Sequence, residues 1–485
     1  MEFPLVFSQT SDPSQPRVSV AVLAAGHGTR MRSATPKHLH PVGGIPIVQR
    51  VIRAGLAIDP HQLVTVVSQP LADLPARLQM EGQFDTAVQH TPEGTAAAVR
   101  CAMDAMEPCD WIVSLLGDSP LLTGEVLQRL VDATIKSGSR LAILTCLMPQ
   151  GGPYGRIDRD RHGNIRRIVE AKNDDPALRS GTTEINSGIT VMEATWARDA
   201  LARVERNIET GEFMLTDLVE LAAAEAAPDA PWPIISVEAG PEVALGVNDR
   251  MQQAEADTSI RASVRERLAA GGVTIFGGDS VVIDDSVTIG ADTVVLPGSI
   301  LTGATAIGTG CRIGPGAVID NSRIGDDVRV VSSTVTDSHL ESGSDVGPYA
   351  HVRRESRIGP GVHVGTSAEI KSTSIGRGSK CGHFSYLGDA TIGERVNIGA
   401  GTITANYDGS RKHATTIEDD TFIGSDTVLV APVHIGSGAM TGAGSVVTRN
   451  VKGGTVVVGV PARAIQQLRL DGQERAGEPV NRTEE

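Results

Sequence analysis

A glycine-rich stretch near the amino terminus holds the first residues that could do chemistry. The sequence LAAGHGTRMRSATPKHLH begins at Leu23, at the end of an apolar run typical of a buried strand. Backbone N–H groups in such a turn can approach phosphate oxygens, because glycine has no side chain to block them. Arg30 and Lys37 add positive charge where negative charge develops in phosphoryl transfer. The stretch predicts a phosphate-binding turn with two catalytic cations. An ordinary glycine turn with solvated basic residues is the alternative.

Two polar residues further along the chain could hold a metal ion. Asp118 ends the apolar run WIVSLLGD, and Asn248 lies in GVNDR. A carboxylate at the end of a buried strand can hold Mg²⁺ against phosphate oxygens. A single aspartate after a strand is more often a turn residue, so this prediction depends on the glycine-rich turn.

The glycine-rich turn also carries a family resemblance. Its spacing is neither the GxGxxG fingerprint nor the GxxxxGK[ST] P-loop, but LAAGxGTRM followed by PK resembles the sugar-nucleotidyltransferase family. The resemblance implies that Asp118 and Asn248 bind Mg²⁺. The motif GEFMLTDLVELA, at 211–222, also fits the family but receives no role. The implied contacts to UTP, its uracil and the sugar phosphate are Leu23, Ala24, Ala25, Gly26, Lys37, Gln89, Gly94, Thr95, Gly155, Glu170, Asn186 and Asn248.

A short repeat organises the second half of the chain. Pairs of an aliphatic residue and glycine recur mostly at intervals of 6, 11–12 or 18 residues. This hexapeptide repeat predicts a parallel β-helix of roughly ten triangular coils, and a generic glycine-rich linker is the alternative. The pairs begin at Ile289, Ile307, Ile313, Ile324, Val346, Ile358, Val364, Ile375, Ile392, Ile398, Ile423 and Ile435.

Functional side chains interrupt this repeat at the spacing of one coil. Arg353 precedes Lys371 by 18 residues, and Glu369, His383 and Tyr386 lie within about one coil of them. Residues one coil apart stack on the same face, so we expect these side chains to form one patch. Two cations suit a phosphate, and a histidine with an ordinary pKa of ~6.5 suits deprotonation of an amine. A lone histidine on such a turn is more often a surface residue.

From about Val18 to Pro461 the chain resembles a bacterial family that combines N-acetylglucosamine-1-phosphate uridyltransferase with glucosamine-1-phosphate acetyltransferase. The resemblance implies acetyl transfer from acetyl-CoA to glucosamine 1-phosphate in the carboxyl-terminal domain. It implies UMP transfer from UTP to N-acetylglucosamine 1-phosphate in the amino-terminal domain, with release of pyrophosphate. The product would be UDP-N-acetylglucosamine for peptidoglycan and lipopolysaccharide. A homotrimer with acetyl-transfer sites shared between subunits is also implied.

The same resemblance assigns roles within the repeat. His383 is implied as the general base on the sugar amine, with Glu369 orienting it. The implied acceptor-binding residues are Arg353, Lys371, Tyr386, Asn397 and Lys412, and the implied acetyl-CoA residues are Ala400, Asn406, Tyr407, Ser425 and Ala443. One departure is that Val460 stands where the family has an arginine that contacts CoA. Arg463 is the nearest arginine to that position.

Two kinds of domain must position these residues. Apolar runs alternate with helical segments over 18–248, which predicts an α/β, Rossmann-like nucleotidyltransferase domain with a mostly parallel sheet. Residues 249–271 predict a linker helix that ends at glycine, and a left-handed parallel β-helix is expected over 272–464. Residues 1–17 and 465–485 are expected to be disordered tails.

The repeat breaks once. The Ile398-Gly399 and Ile423-Gly424 pairs are 25 residues apart, which equals one coil plus roughly seven residues. We expect an extruded loop that carries Asn406, Tyr407 and Lys412 towards the acetyl-transfer site. A tolerated surface insertion is the alternative.

Composition limits the classes of function. With 43 Lys and Arg against 58 Asp and Glu, the net charge of −15 argues against broad nucleic-acid binding. The five scattered cysteines are read as reduced thiols of a cytoplasmic protein, and no apolar run predicts a membrane span. Two alternative functions stay open. One is a monofunctional sugar-1-phosphate nucleotidyltransferase with a regulatory β-helix, and the other is a non-catalytic assembly subunit.

Overall fold

The structure, a computed structural model, describes residues 16–26, 28–149, 151–171, 181–208, 210–227 and 230–468. The chain divides into two compact units, Met1–Ile260 and Arg261–Glu485. Most of the tail expected over 1–17 and of the tail expected over 465–485 lies outside the described residues. No described helix is long and apolar enough to cross a membrane.

The amino-terminal unit is built on one nine-stranded, mostly parallel sheet. Its spatial order is β9-β5-β8-β4-β1-β2-β3, and β6 joins β8 to β7. Only β8 and the β6–β7 hairpin run antiparallel to their neighbours. In chain order, β1 to β9 are Val18–Ala24, Gln62–Val67, Asp85–Val88, Trp111–Leu116, Leu141–Pro149, Arg156–Arg159, Ile165–Val169, Thr182–Glu193 and Ile234–Ala239.

Helices cover both faces of this sheet, as the unbroken apolar strands require. Helices α1 and α4 pack against one face, and α3, α5 and α6 pack against the other. In chain order, α1 to α7 are Ile47–Leu56, Leu74–Leu78, Thr95–Ala105, Gly124–Ser137, Ala194–Arg203, Asp217–Ala224 and Arg250–Ala270. The last of these is the helix expected over 249–271, and the boundary between the two units falls within it.

The strand order reverses at β1. From β1 the chain continues outward to β2 and β3, and it then returns to place β4 on the other side of β1. The carboxyl ends of β1 and β4 therefore border the crevice in which open α/β sheets bind ligands. The glycine-rich turn follows β1, and Asp118 follows β4 by two residues.

The second unit is a parallel β-helix with three faces, which we call A, B and C. Each strand pairs in parallel with the strand one coil later, and inward aliphatic side chains such as Val352, Ile370 and Leu387 are fully buried. Face A consists of Thr274–Ile275, Val294–Val295, Arg312–Ile313, Arg329–Val330, Asp345–Val346, His363–Thr366, Lys380–His383, Asn397–Ile398, Phe422–Ile423, Met440–Thr441, Thr455–Val458 and Arg463–Gln467.

Faces B and C have ten and nine strands, in agreement with roughly ten coils. Face B consists of Val282–Ile283, Ile300–Thr302, Val318–Asp320, Thr334–Thr336, His351–Arg353, Glu369–Lys371, Tyr386–Gly388, Ile403–Ala405, Val428–Val430 and Val446–Val447. Face C consists of Thr288–Ile289, Ala306–Ile307, Arg323–Ile324, His339–Leu340, Arg357–Ile358, Ser374–Ile375, Ala390–Ile392, Thr415–Ile417 and Val433–Ile435.

The end of the β-helix departs from the sequence prediction. The last strand, Arg463–Gln467, runs antiparallel to Thr455–Val458 and closes face A. Residues 465–467 are therefore part of a strand, and their assignment to a flexible tail was wrong. The strand carries no hexapeptide signal because it turns back on the last coil and does not form another one.

Candidate active sites

The ammonium of Lys37 lies at the centre of the crevice beside β1 and β4. Its Nζ is 2.6 Å from Oδ2 of Asp118 and 3.1 Å from Oδ1 of Asn248. The Lys37 side chain is 9% exposed and that of Asp118 is 18% exposed. The two oxygens predicted to bind Mg²⁺ thus both contact the positively charged ammonium of Lys37. A carboxylate and an amide oxygen are donors that suit Mg²⁺.

Hydrogen bonds from the backbone hold the segments of Asp118 and Asn248 in place. Val247 N donates to Asp118 O at 2.8 Å, so the segment before Asn248 is bound to the loop that carries Asp118. Asn248 N donates to Oε1 of Gln252 at 2.8 Å, in the first turn of α7. The two segments are far apart in sequence, and the fold of the domain brings them together.

The glycine-rich turn lies directly against Lys37. Gly28 has φ of +60°, and a Cβ there would lie 2.5 Å from Cβ of Lys37. A side chain at this position would therefore displace the lysine or the turn. Burial, followed by the charge of Lys37, lowers the pKa of the neighbouring His38 to about 4, so this ring is neutral at pH 7. Arg30, in the turn Thr29–Met31, is exposed.

The residues expected to contact the nucleotide lie on three segments of the amino-terminal unit. Leu23 and Ala24 end β1, Ala25 follows them and is buried, and Gly26 is exposed. Gln89 directly follows β3. Gly94 and Thr95 form the start of α3.

The three residues expected to bind the sugar phosphate form a second group. Asn186 N donates to Gly155 O at 2.8 Å, so these two are in direct contact. The side-chain oxygen of Asn186 accepts from Gly188 N at 2.9 Å. Glu170 directly follows β7, and its Oε1 accepts from Oγ1 of Thr216 at 3.3 Å.

A cluster of charges lies on face B of the β-helix. Arg353 and Lys371 are directly paired in register, as their 18-residue spacing predicted. Arg353 Nε donates to Oε1 of Glu369 at 3.0 Å. The buried Lys371 ammonium lies 3.5 Å from Oδ2 of Asp389.

The same cluster continues into the insertion that breaks the repeat. Nδ2 of Asn406 donates to Asp389, and it lies 3.5 Å from the hydroxyl of Tyr386. Lys412 lies in the insertion, opposite Tyr407, and its amino group is beside that of Lys371 on face B. The amino groups of Lys371 and Lys412 are thus adjacent, and Lys412 is exposed, an arrangement that suits a doubly charged phosphate.

The contact between the two lysines has a measurable consequence. The adjacent amino group of Lys371, and then desolvation, lower the pKa of Lys412 from its usual value. We expect half-maximal acylation of the Lys412 amine at a lower pH in the natural protein than in Lys371→Met, because that substitution removes the neighbouring charge. Peptide mass spectrometry after brief acylation across a pH series measures this. The exposed Lys452 should label identically in both proteins, and equal midpoints for Lys412 would contradict the contact.

The insertion itself is a short hairpin between faces B and C. Tyr407 and Lys412 form an antiparallel bridge, and His413 N donates to Asn406 O at 2.8 Å. The coil register continues on both sides, because Thr415 pairs with Ala390 and with Val433. Asp408 accepts from Arg411 N at 2.7 Å and lies 2.6 Å from the ring of His413, and these contacts lower its pKa.

His383 begins a column of residues at the corner between faces A and B. Backbone hydrogen bonds link each coil of this column to the next: Gly401 N donates to His383 O, Asp426 N to Ala400 O, and Gly444 N to Ser425 O. Four predicted site residues therefore stack along one edge: His383, Ala400, Ser425 and Ala443. The His383 ring is exposed and forms no hydrogen bond or ion pair within the described residues.

The structure contradicts one expectation about this domain and shows where two other sets of predicted residues lie. Glu369 was expected to orient His383. Its carboxylate instead accepts from the guanidinium of Arg353, one coil earlier, and forms no hydrogen bond with His383 within the described chain. Asn397 lies on face A, between Lys380 and Phe422, and is therefore separate from the face B cluster. Tyr407 and Asn406 lie at the B–C corner, whereas the other acetyl-CoA residues lie at the A–B corner.

Comparison with known proteins identifies the family. The profile of the MobA-like NTP transferase domain matches residues 20–180, and the six-repeat bacterial transferase hexapeptide profile matches 286–321 and 414–449. Among curated relatives, the "Bifunctional protein GlmU" of Pelobacter propionicus is 40% identical and covers 91% of this chain and 95% of its own. Those of Geobacillus sp. and Nostoc sp. are 39% and 38% identical, covering 89% and 95% of this chain and 92% and 100% of theirs.

The chain belongs to the GlmU family. Membership confirms the predicted bifunctional enzyme with nucleotidyltransferase and acetyltransferase activities. It also confirms the predicted fold, an α/β nucleotidyltransferase domain followed by a left-handed β-helix of hexapeptide repeats. The roles of individual residues are predictions.

Asp389 is a site residue that the sequence analysis missed. It contacts both Lys371 and Asn406, and its backbone N donates to Lys371 O at 3.0 Å. The signal was present, since Asp389 follows Lys371 by 18 residues, the spacing that linked Arg353 to Lys371.

Proposed function

We propose that the two reactions of this enzyme take place at the two sites described above. Acetyl transfer to glucosamine 1-phosphate takes place on the β-helix, and uridylyl transfer to N-acetylglucosamine 1-phosphate takes place beside β1 and β4. The observation that carries the proposal is the convergence of Lys37, Asp118 and Asn248 in one crevice. The two-lysine cluster on face B supports the second site in the same chain.

In the acetyl-transfer step, the sugar amine attacks the thioester carbonyl of acetyl-CoA, a C–N bond forms, and the CoA thiolate leaves. His383 takes the amine proton, and its exposed ring without an internal partner supports this role. Lys371, Lys412 and Arg353 bind the phosphate of the acceptor, while Tyr386 and Asn397 contact the sugar. Glu369 holds Arg353 in position.

The acetyl-CoA and acceptor sites draw on residues from separate corners of the β-helix. We assign acetyl-CoA binding to Ala400, Ser425 and Ala443 at the A–B corner, and to Asn406 and Tyr407 at the B–C corner. In a homotrimer, the A–B corner and the B–C corner of one site would come from neighbouring subunits. Exposed apolar side chains on face B and its edge, including Tyr349, Phe384 and Ile403, support burial between copies of this chain.

In the uridylyl-transfer step, a phosphate oxygen of N-acetylglucosamine 1-phosphate attacks the α-phosphorus of UTP, and pyrophosphate leaves. Lys37 and Arg30 offset the charge on the phosphoryl oxygens. Asp118 and Asn248 would hold Mg²⁺, which would supply Lewis-acid stabilisation of the phosphate charge. Gln89, Gly94 and Thr95 contact the uracil, and Gly155, Glu170 and Asn186 contact the sugar phosphate.

We place the functional domains at 18–248 and 272–464, joined by the helix α7, and we place the enzyme in the cytoplasm. None of the five cysteines forms a disulfide, and this supports that compartment. The product UDP-N-acetylglucosamine would supply cell-wall synthesis.

Two product assays on the purified chain test the proposal. We expect CoA release that requires glucosamine 1-phosphate, and pyrophosphate release from UTP that requires N-acetylglucosamine 1-phosphate and Mg²⁺. Pyrophosphate release without any acetyl transfer would favour the monofunctional enzyme with a regulatory β-helix. Absence of both activities in a folded protein would favour the non-catalytic subunit.

A further inference from the structure

The segment Gly211–Thr216, whose motif has no role in the site described above, packs against the loop that contains Gly94. Phe213 N donates to Glu93 O at 2.7 Å, and Ala96 N donates to Phe213 O at 3.0 Å. A Cβ at Gly94 would lie 2.5 Å from Phe213 O, and Gly94 has φ of +100°. The backbone of Phe213 therefore lies so close to this loop that no side chain fits between them.

The same segment also links the loop to the sugar side of the site. Leu215 N donates to Oγ1 of Thr95 at 3.0 Å. Thr216, the next residue, donates from Oγ1 to Oε1 of Glu170 at 3.3 Å. One short stretch of chain thus hydrogen-bonds both to the start of α3 and to the end of β7.

The ring of Phe213 anchors this stretch through two guanidinium groups. Cζ of Arg100 lies 4.8 Å, and Cζ of Arg206 4.9 Å, from the ring centroid, within the range of a cation–π interaction. Arg100 lies on α3, the helix that begins at Thr95. Arg206 bonds in turn to Oε1 of Glu93 at 2.7 Å, beside Gly94. The ring therefore contacts Arg100, in the helix that follows the loop, and Arg206, which is bonded to Glu93 within the loop.

We propose that Phe213 is a positioning residue of the uridylyl-transfer site and that it supports discrimination between UTP and other pyrimidine nucleotides. This inference rests on the proposed function, in which Gly94 and Thr95 contact the uracil. Phe213 acts through these two residues, because its backbone and ring hold the loop that carries them. With the ring removed, the loop can adapt to a cytosine ring, which presents an amino group where uracil presents a carbonyl oxygen.

The test compares kcat/KM for UTP with kcat/KM for CTP, using N-acetylglucosamine 1-phosphate as acceptor. In Phe213→Leu we expect the UTP/CTP ratio to fall about tenfold, with a raised KM for UTP and kcat within about threefold of the natural enzyme. In Phe213→Tyr, which retains a ring for both arginines, the ratio should stay within about twofold. The ratio does not depend on the fraction of enzyme that is folded, so a purely structural role would leave it unchanged.

Acetyl transfer by the same preparations is the control and should be unchanged in both variants. An unaltered UTP/CTP ratio in Phe213→Leu would overturn the inference. If Phe213→Leu has no measurable uridylyl transfer, Arg206→Gln decides the question, with a fall of about threefold expected and an unaltered ratio overturning it. Absence of uridylyl transfer in the natural chain would instead refute the proposed function, and the inference with it.

Discussion

Replacing Asp118 with alanine is expected to abolish formation of UDP-N-acetylglucosamine, with a loss of at least about 10²–10³-fold in kcat, while acetyl transfer is retained. The carboxylate lies 2.6 Å from the Lys37 ammonium, so its removal takes away a proposed magnesium ligand and leaves this buried cation without its closest partner. Pyrophosphate release measures the first activity and CoA release the second.

The matched control for this prediction is Asp132→Ala, at an exposed position of α4. It should leave both activities unchanged. Loss of both activities in a folded Asp118→Ala protein would count against separate sites, and near-natural pyrophosphate release would refute the role of Asp118.

Replacing His383 with alanine is expected to produce the converse result. Acetyl transfer should fall by about 10²–10⁴-fold, the usual contribution of a general base, while uridylyl transfer is unchanged. Because the ring makes no hydrogen bond or ion pair within the described chain, its removal should lower kcat without disrupting the β-helix. CoA release at saturating acetyl-CoA measures the effect.

A control for this variant is His434→Ala, which removes a histidine from face C. It should retain acetyl transfer, and both variants should retain the thermal stability of the β-helix. Acetylation by His383→Ala at a rate close to that of the natural enzyme would refute the assignment of the base.

Much of the fold could be predicted because single elements carry strong local patterns. The helix expected over 249–271 forms as Arg250–Ala270, and the apolar run before the glycine-rich turn forms the buried strand Val18–Ala24. The three-sided repeat follows from the aliphatic-glycine pairs, since each inward position must be apolar and each turn must be tight. The last strand, Arg463–Gln467, could not be predicted because it runs antiparallel to the preceding strand and carries no hexapeptide repeat.

The composition of the sites was partly predictable, and their contacts were less so. The one-coil spacing predicted that Arg353 lies beside Lys371, because residues one coil apart in a solenoid occupy the same register. It could not show that Glu369 contacts Arg353 and not His383, since spacing does not give the direction of a side chain at a corner.

The amino-terminal site depends on contacts that are remote in sequence. Lys37 and Asp118 are 81 residues apart, and Lys37 and Asn248 are 211 residues apart, yet all three meet in one crevice. The strand order produces this meeting, and no local pattern encodes it. The sequence accordingly predicted the lysine as a phosphate ligand and the other two as metal ligands, without predicting that the lysine lies between them.

The most direct test of two separate sites in one chain is to mix purified Asp118→Ala and His383→Ala proteins. With glucosamine 1-phosphate, acetyl-CoA, UTP and Mg²⁺, neither protein alone should make UDP-N-acetylglucosamine, and the mixture should make it at a readily measured rate. Formation of the product by the mixture alone is the predicted result. A mixture that stays inactive, although each protein retains its own remaining activity, would contradict two independent sites linked by a released intermediate.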